Sequence, residues 1–85
     1  MAANAQNIAL LRTLEAQEVF KLRGFTASVG PAGSVVIDRW GHMRGLWHFN
    51  KGQYFWTGGA SSQPTLSKET LDEAVSHTLT TIAGA

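Results

Sequence analysis

Histidine is the side chain best suited to move protons near neutral pH, and this chain has three of them, His42, His48 and His77. His42 and His48 fall on one predicted strand, on the same side. At ~3.3 Å per residue they stand ~20 Å apart, too far to share one metal ion. His77 lies one turn after Glu73 on the polar side of a predicted helix, where an i, i+4 pair contributes only a few tenths of a kcal/mol. The Ser, Thr and His residues are scattered, with no nucleophile-elbow context and no base placed to activate a hydroxyl. Gly58-Gly59 lacks the following Lys and Ser/Thr of a phosphate loop. With no Cys there is neither a thiolate nucleophile nor a sulfur-ligated zinc. The expectation is a chain that is not an enzyme, with no catalytic residues, no cofactor and no metal.

The other chemically capable residues concentrate in residues 40–56, WGHMRGLWHFNKGQYFW, which hold six of the eight aromatic side chains. This stretch reads as two antiparallel strands around Asn50-Lys51-Gly52. Upstream, Asp38-Arg39-Trp40-Gly41 and Gly30-Pro31-Ala32-Gly33 repeat the turn chemistry, with Asp or Pro early and Gly last. Three turns of the glycine-bulge kind predict a four-stranded meander over 25–29, 34–38, 42–49 and 53–57.

Counting through such turns pairs Val29 with Val35, Ile37 with Met43, and Trp47 with Phe55. One side then gathers Phe25, Ala27, Val29, Val35, Ile37, Met43, Gly45, Trp47, Phe49, Phe55 and Thr57. The other gathers Thr26, Ser28, Ser34, Val36, Asp38, His42, Arg44, Leu46, His48, Tyr54 and Trp56. The first side is a core, while the second sets cations among large rings. A two-residue Lys51-Gly52 turn would shift the last strand by one and send Tyr54 and Trp56 inward instead. Gly45 leaves room on the core side for a helix or for the indole of Trp47. Trp40, at a turn tip, is expected to fold back over the sheet edge.

Helices flank the meander. Residues 5–23 favour helix by propensity, with Asn4 as cap and Gly24 closing it in a Schellman arrangement that joins Phe20 to Phe25. A strand beginning near Val19 competes with the end of that helix. The segment TGGASSQP is a loop by composition. Ser67 then caps a second helix, with Leu66 and Leu71 as a hydrophobic staple. Leu71, Ala74, Val75, Thr78, Leu79 and Ile82 form its single core-facing stripe, ending before Gly84. The predicted fold is α+β, a two-layer α-β-β-β-β-α arrangement with both helices on one face of the sheet.

At 85 residues, with 44% apolar content, the chain reads as one small globular domain over 1–85, with disorder only at 1–4 and 84–85. No ~20-residue apolar run and no signal-like N-terminus point to membrane or export, so a cytoplasmic location is the default. The formal net charge is only +1. Arg39, Arg44 and Lys51 against Asp38 make the sheet +2, while Glu69, Asp72 and Glu73 against Lys68 make the last helix −2. Arg44, His48, Tyr54, Trp56, His42 and Leu46 are therefore the candidate binding surface. Its expected occupant is a second copy or another protein, since exposed rings of this kind mark interaction sites. The alternative is nucleic acid along the same face, disfavoured because so few cations would meet phosphates.

Overall fold

The computed structural model describes residues 5–82. Outside them lie the Asn4 cap, the disorder expected at 1–4 and 84–85, and the stop before Gly84. Two helices, α1 (Ala5–Glu15) and α2 (Glu18–Leu22), precede four strands, β1 (Phe25–Val29), β2 (Val35–Arg39), β3 (His42–Asn50) and β4 (Gln53–Gly58). A short strand β5 (Leu66–Lys68) and helix α3 (Leu71–His77), continued by π-helical turns over Thr78–Ile82, complete the chain. The sheet is antiparallel with order β1-β2-β3-β4-β5, so it has five strands rather than the four expected, and the helices pack against one face. No helix among the described residues is long and apolar enough to cross a membrane.

The predicted helix over 5–23 is broken in two, and the wheel gives the reason. Asn7, Leu10 and Leu14 share one face of α1 and are buried. At ~100° per residue, Phe20 in an unbroken helix would point about 120° away from Leu14, off the buried face. The interruption at Ala16-Gln17 re-aims Phe20 into the core, where it stacks on Phe25 at 5.4 Å. Gly24 takes φ 83° and its N–H bonds the Lys21 carbonyl, which is the inner of the two bonds of the expected Schellman closure, with the Phe20–Phe25 contact beside it, and no strand begins at Val19. Val19 and Leu22 are left exposed.

Sheet register departs from the count in two places for one reason. Both Trp40-Gly41 and Lys51-Gly52 are two-residue turns with positive φ at each position (51° and 82°, 50° and 81°), the type I′ geometry that suits strand twist. After the first turn, Arg39 pairs with His42 and Asp38 with Met43, and a bulge then makes Ile37 pair with Gly45 and Val35 with Trp47. The turn and the bulge each shift the register by one, so the sides of residues 45–50 come out as expected. Met43 leaves the core side and is 48% exposed. No bulge follows the second turn, so β4 is inverted: Trp47 faces Trp56 rather than Phe55, and Phe49 faces Tyr54. Tyr54 and Trp56 are 4% and 7% exposed, and Phe55 and Thr57 lie on the other side.

The core side is closed by α1, α3 and a small set of polar ties. Asn7 Nδ2 donates to the Gly33 carbonyl at 3.0 Å, and its Oδ1 accepts from the Phe49 N–H at 2.9 Å, pinning α1 across the sheet. The Trp47 indole N–H donates to Thr78 Oγ1 at 2.9 Å, and that hydroxyl donates to the Ala74 carbonyl at 2.8 Å. The α3 stripe is in place, with Ala74, Val75 and Thr78 buried and Leu71, Leu79 and Ile82 packed against them. Its cap is Thr70, not Ser67: Thr70 and Glu73 form a capping box, and Leu66 and Ser67 belong to β5 instead of a staple. A Cβ on Gly45 would strike the Trp56 ring at 2.4 Å, so the indole that this glycine admits is Trp56, not Trp47.

Candidate functional site

Each side-chain row across the sheet assigns residues to a face, because partners in register share a side. Phe25, Val35, Ile37, Trp47, Tyr54 and Trp56, the buried side chains of β1 to β4, all fall on the helix side. The opposite face carries Ser28, Val36, Leu46 and Thr57 in one row and His48, Phe55 and Ser67 in the next. Val36, Leu46, His48, Phe55 and Thr57 are half-buried, Phe55 sharing a hollow with Pro64 and Thr65, and none reaches the burial of the core side. Among the described residues no helix or strand packs over it, and this is the uncovered face of the sheet.

The six expected binding residues are therefore not brought together. Leu46 and His48 lie at the centre of the uncovered face. Arg44 is the extra residue of the bulge and is exposed at its margin. His42 pairs with Arg39 across the turn, and through it shares the side of Phe25, so it too leaves the expected cluster. Tyr54 and Trp56 are core residues. Tyr54 stands edge-on to Phe49 at 4.8 Å, and burial raises its phenol pKa above the ordinary value. Phe55 and Thr57 take their places on the uncovered face, and the consecutive run Tyr54-Phe55-Trp56 gave no alternation from which to find them.

Trp40 folds back, as expected, onto Gly24, where a Cβ would meet its ring nitrogen at 2.2 Å. The residue is nonetheless 72% exposed. The Arg39 guanidinium lies 4.2 Å from the Trp40 ring centroid and 5.0 Å from that of Phe25, and Arg39 Nε donates to the Arg23 carbonyl at 3.0 Å. This arrangement ties the β2–β3 turn to the end of α2 by cation–π contact and a helix-terminal hydrogen bond.

On the helix side, a hollow of about 450 Å³ lies along α3, lined by Lys68, Asp72, Glu73, Ser76, His77 and Thr80 among others. His77 is not the exposed partner of Glu73 that was expected. It is half-buried, edge-on to the Trp47 ring at 5.9 Å and 89°. Desolvation first, and the Lys68 charge second, lower its pKa. Among the described residues His77 makes no hydrogen bond to a hydroxyl or carboxylate. Nor do three or more His, Cys, Asp or Glu residues converge as metal ligands among the described residues. Comparison with known proteins finds no matching family profile, no similar curated protein and no similar solved structure.

Proposed function

We propose that this chain is a non-enzymatic interaction module that engages another polypeptide through the uncovered face of its sheet. The observation that supports this reading is the row pattern of that face: Val36, Leu46 and Phe55 form an apolar centre beside His48, flanked by Ser28 and Ser67 and by the row Thr26, Asp38 and exposed Met43. An apolar centre with a hydrophilic margin is the anatomy of a protein interface. A polyanion finds less here: Arg44 and Lys51 stand at the margins, and one phenyl ring with one imidazole is a narrow stacking platform.

A photo-crosslinking amino acid in place of Phe55, irradiated in cells, tests the reading. The expected result is a discrete adduct that survives nuclease, is removed by protease, and disappears when Leu46→Glu is added. The same photoprobe in place of exposed Thr81 should give none. A nuclease-sensitive adduct would transfer the face to nucleic acid, and no adduct at all would refute both uses.

A further inference from the structure

The sheet has two edges, and the edge formed by β1 is unusual for what it lacks. In an antiparallel ladder the residues that exchange hydrogen bonds with one neighbour alternate with residues that direct N–H and C=O the other way. Gly30 N–H bonds the Ser34 carbonyl at 2.8 Å, and Trp40 N–H bonds the Gly24 carbonyl at 3.4 Å, which fixes the phase of the β1–β2 ladder. Thr26 and Ser28 therefore face β2 with their polar backbone groups, while Phe25, Ala27 and Val29 direct theirs to the free edge. Among the described residues no strand lies beyond them, and none of these groups makes a backbone bond across that edge. Natural edges are blunted by charge, proline or a bulge, yet β1 reads Phe-Thr-Ala-Ser-Val and its register runs without interruption.

We infer that two copies of this chain pair antiparallel through β1, about a two-fold axis at Ala27, so that one sheet runs through both. The register is self-complementary. Ala27 meets Ala27 of the second copy and Phe25 meets Val29, both pairs being of the outward-directed kind, while Thr26 meets Ser28 with small hydroxyl side chains and no charge. Val29 is 56% exposed on the core side of the sheet and supplies an apolar knob. Beside Phe25, where Val29 of the second copy arrives, a groove of about 580 Å³ is lined by Phe20, Phe25 and Ala27, with Glu15 and Lys21 among its lining residues. A closed two-fold interface of this kind satisfies the β1 edges of both copies at once, and only the three-residue β5 edges stay outside it. A five-residue strand and one groove place the contact at the small end of specific interfaces, so the dimer dissociates in the micromolar range or above. The inference concerns a different surface from the uncovered face and stands without it.

The chain has no native cysteine, so Ala27→Cys adds a single thiol. Across a hydrogen-bonded antiparallel pair the Cα atoms lie about 5.5 Å apart, within disulfide range. Under mild oxidation Ala27→Cys should give a disulfide dimer several-fold faster than Ser67→Cys on the opposite edge strand. Unaltered protein should shift from monomer to dimer mass over roughly 10–300 µM, and Val29→Lys, with an unchanged circular dichroism spectrum, should remain monomeric. Amide exchange at Phe25, Ala27 and Val29 should slow as concentration rises. A chain that stays monomeric throughout, or Ala27→Cys that oxidises no faster than Ser67→Cys, overturns the inference. A dimer split by Leu46→Glu and not by Val29→Lys also overturns it, and leaves the uncovered face as the working surface.

Discussion

Replacing Thr78 with Val tests how α3 is locked onto the sheet, and therefore why only one sheet face is free. Trp47 and Thr78 are both fully buried, and the indole N–H has Thr78 Oγ1 as its partner at 2.9 Å. Valine keeps the shape and removes the acceptor, leaving a buried donor unsatisfied at a cost of roughly 1–3 kcal/mol. The lost Thr78–Ala74 side-chain bond matters less, because the Ala74 carbonyl still accepts the Thr78 backbone N–H. Burying a methyl in place of a hydroxyl returns part of the loss, so the net destabilisation is about 1–2 kcal/mol. With m near ~1 kcal/mol/M for a chain this small, the urea midpoint should fall by about 1–2 M at unchanged slope. Thr78→Ser retains the acceptor and should lose only about 1 kcal/mol for the missing methyl. In a Trp47→Phe background, Thr78→Val should become nearly neutral, since no indole N–H is left to satisfy. A Thr78→Val penalty that persists undiminished beside Trp47→Phe would refute the hydrogen-bond argument.

The inverted fourth strand predicts that Trp56→Ala loses roughly 3–5 kcal/mol and Phe55→Ala much less, measured by denaturant unfolding; equal losses would contradict the pairing of Trp47 with Trp56. Lys51 occupies a left-handed conformation at φ 50°, so Lys51→Asn, a residue that tolerates it, should stabilise the fold by roughly 0.5–1 kcal/mol. Because the His77 pKa is lowered in the folded state, the unfolded chain binds more protons below the ordinary histidine pKa of about 6.5. Its contribution is thus fully present above that pH and declines as pH falls through the window down to the folded-state value. His77→Gln should flatten that part of a stability-against-pH curve, although Asp72 and Glu73 beside the same hollow will still titrate lower down; a curve unchanged by the substitution would exclude the desolvation argument.

How far the fold was legible depended on whether a residue's local preference agreed with its tertiary role. The α3 stripe was readable because its apolar positions repeat at one helical period, and β1, β2 and residues 45–50 of β3 because their core positions recur at every second residue, while His42 and Met43, ahead of the bulge, were misplaced. The β4 assignment failed because Tyr54-Phe55-Trp56 is apolar at every position, so register rested on the turn alone. There the local signal misled: a bulged three-residue loop spares Lys51 a left-handed conformation that costs roughly 1–2 kcal/mol. Burying a large side chain contributes roughly 1.5–3 kcal/mol, and the two-residue turn buries Tyr54 and Trp56 where the bulged loop would bury Phe55 and Thr57, a net gain of about one large ring. Burial outweighs the strained turn, and the candidate surface lost its two largest rings for that reason. The Thr70 capping box was visible as Thr-x-x-Glu but was passed over for Ser67, since Leu66-Ser67-Lys68 is too short to announce a strand.

If β1 edges join two copies, the two proposals constrain one another. Neighbouring strands lie about 4.8 Å apart, so β3 sits two strand spacings from the β1 edge and one more spacing crosses the junction. The Leu46-His48 patches of the two copies would then lie about 24 Å apart on the same side of a continuous sheet, reduced somewhat by twist. A partner that is itself two-fold symmetric could engage both patches, and its second contact would be intramolecular, raising avidity by ~10²–10⁴ without any new contact. A monovalent partner would gain nothing. Val29→Lys, which leaves the uncovered face untouched, should therefore weaken capture of a dimeric partner by a large factor and leave a monovalent fragment of it bound as before, measured by titration at matched protomer concentration. Equal weakening of both would place Val29 in the partner site itself and contradict the separation of edge from face.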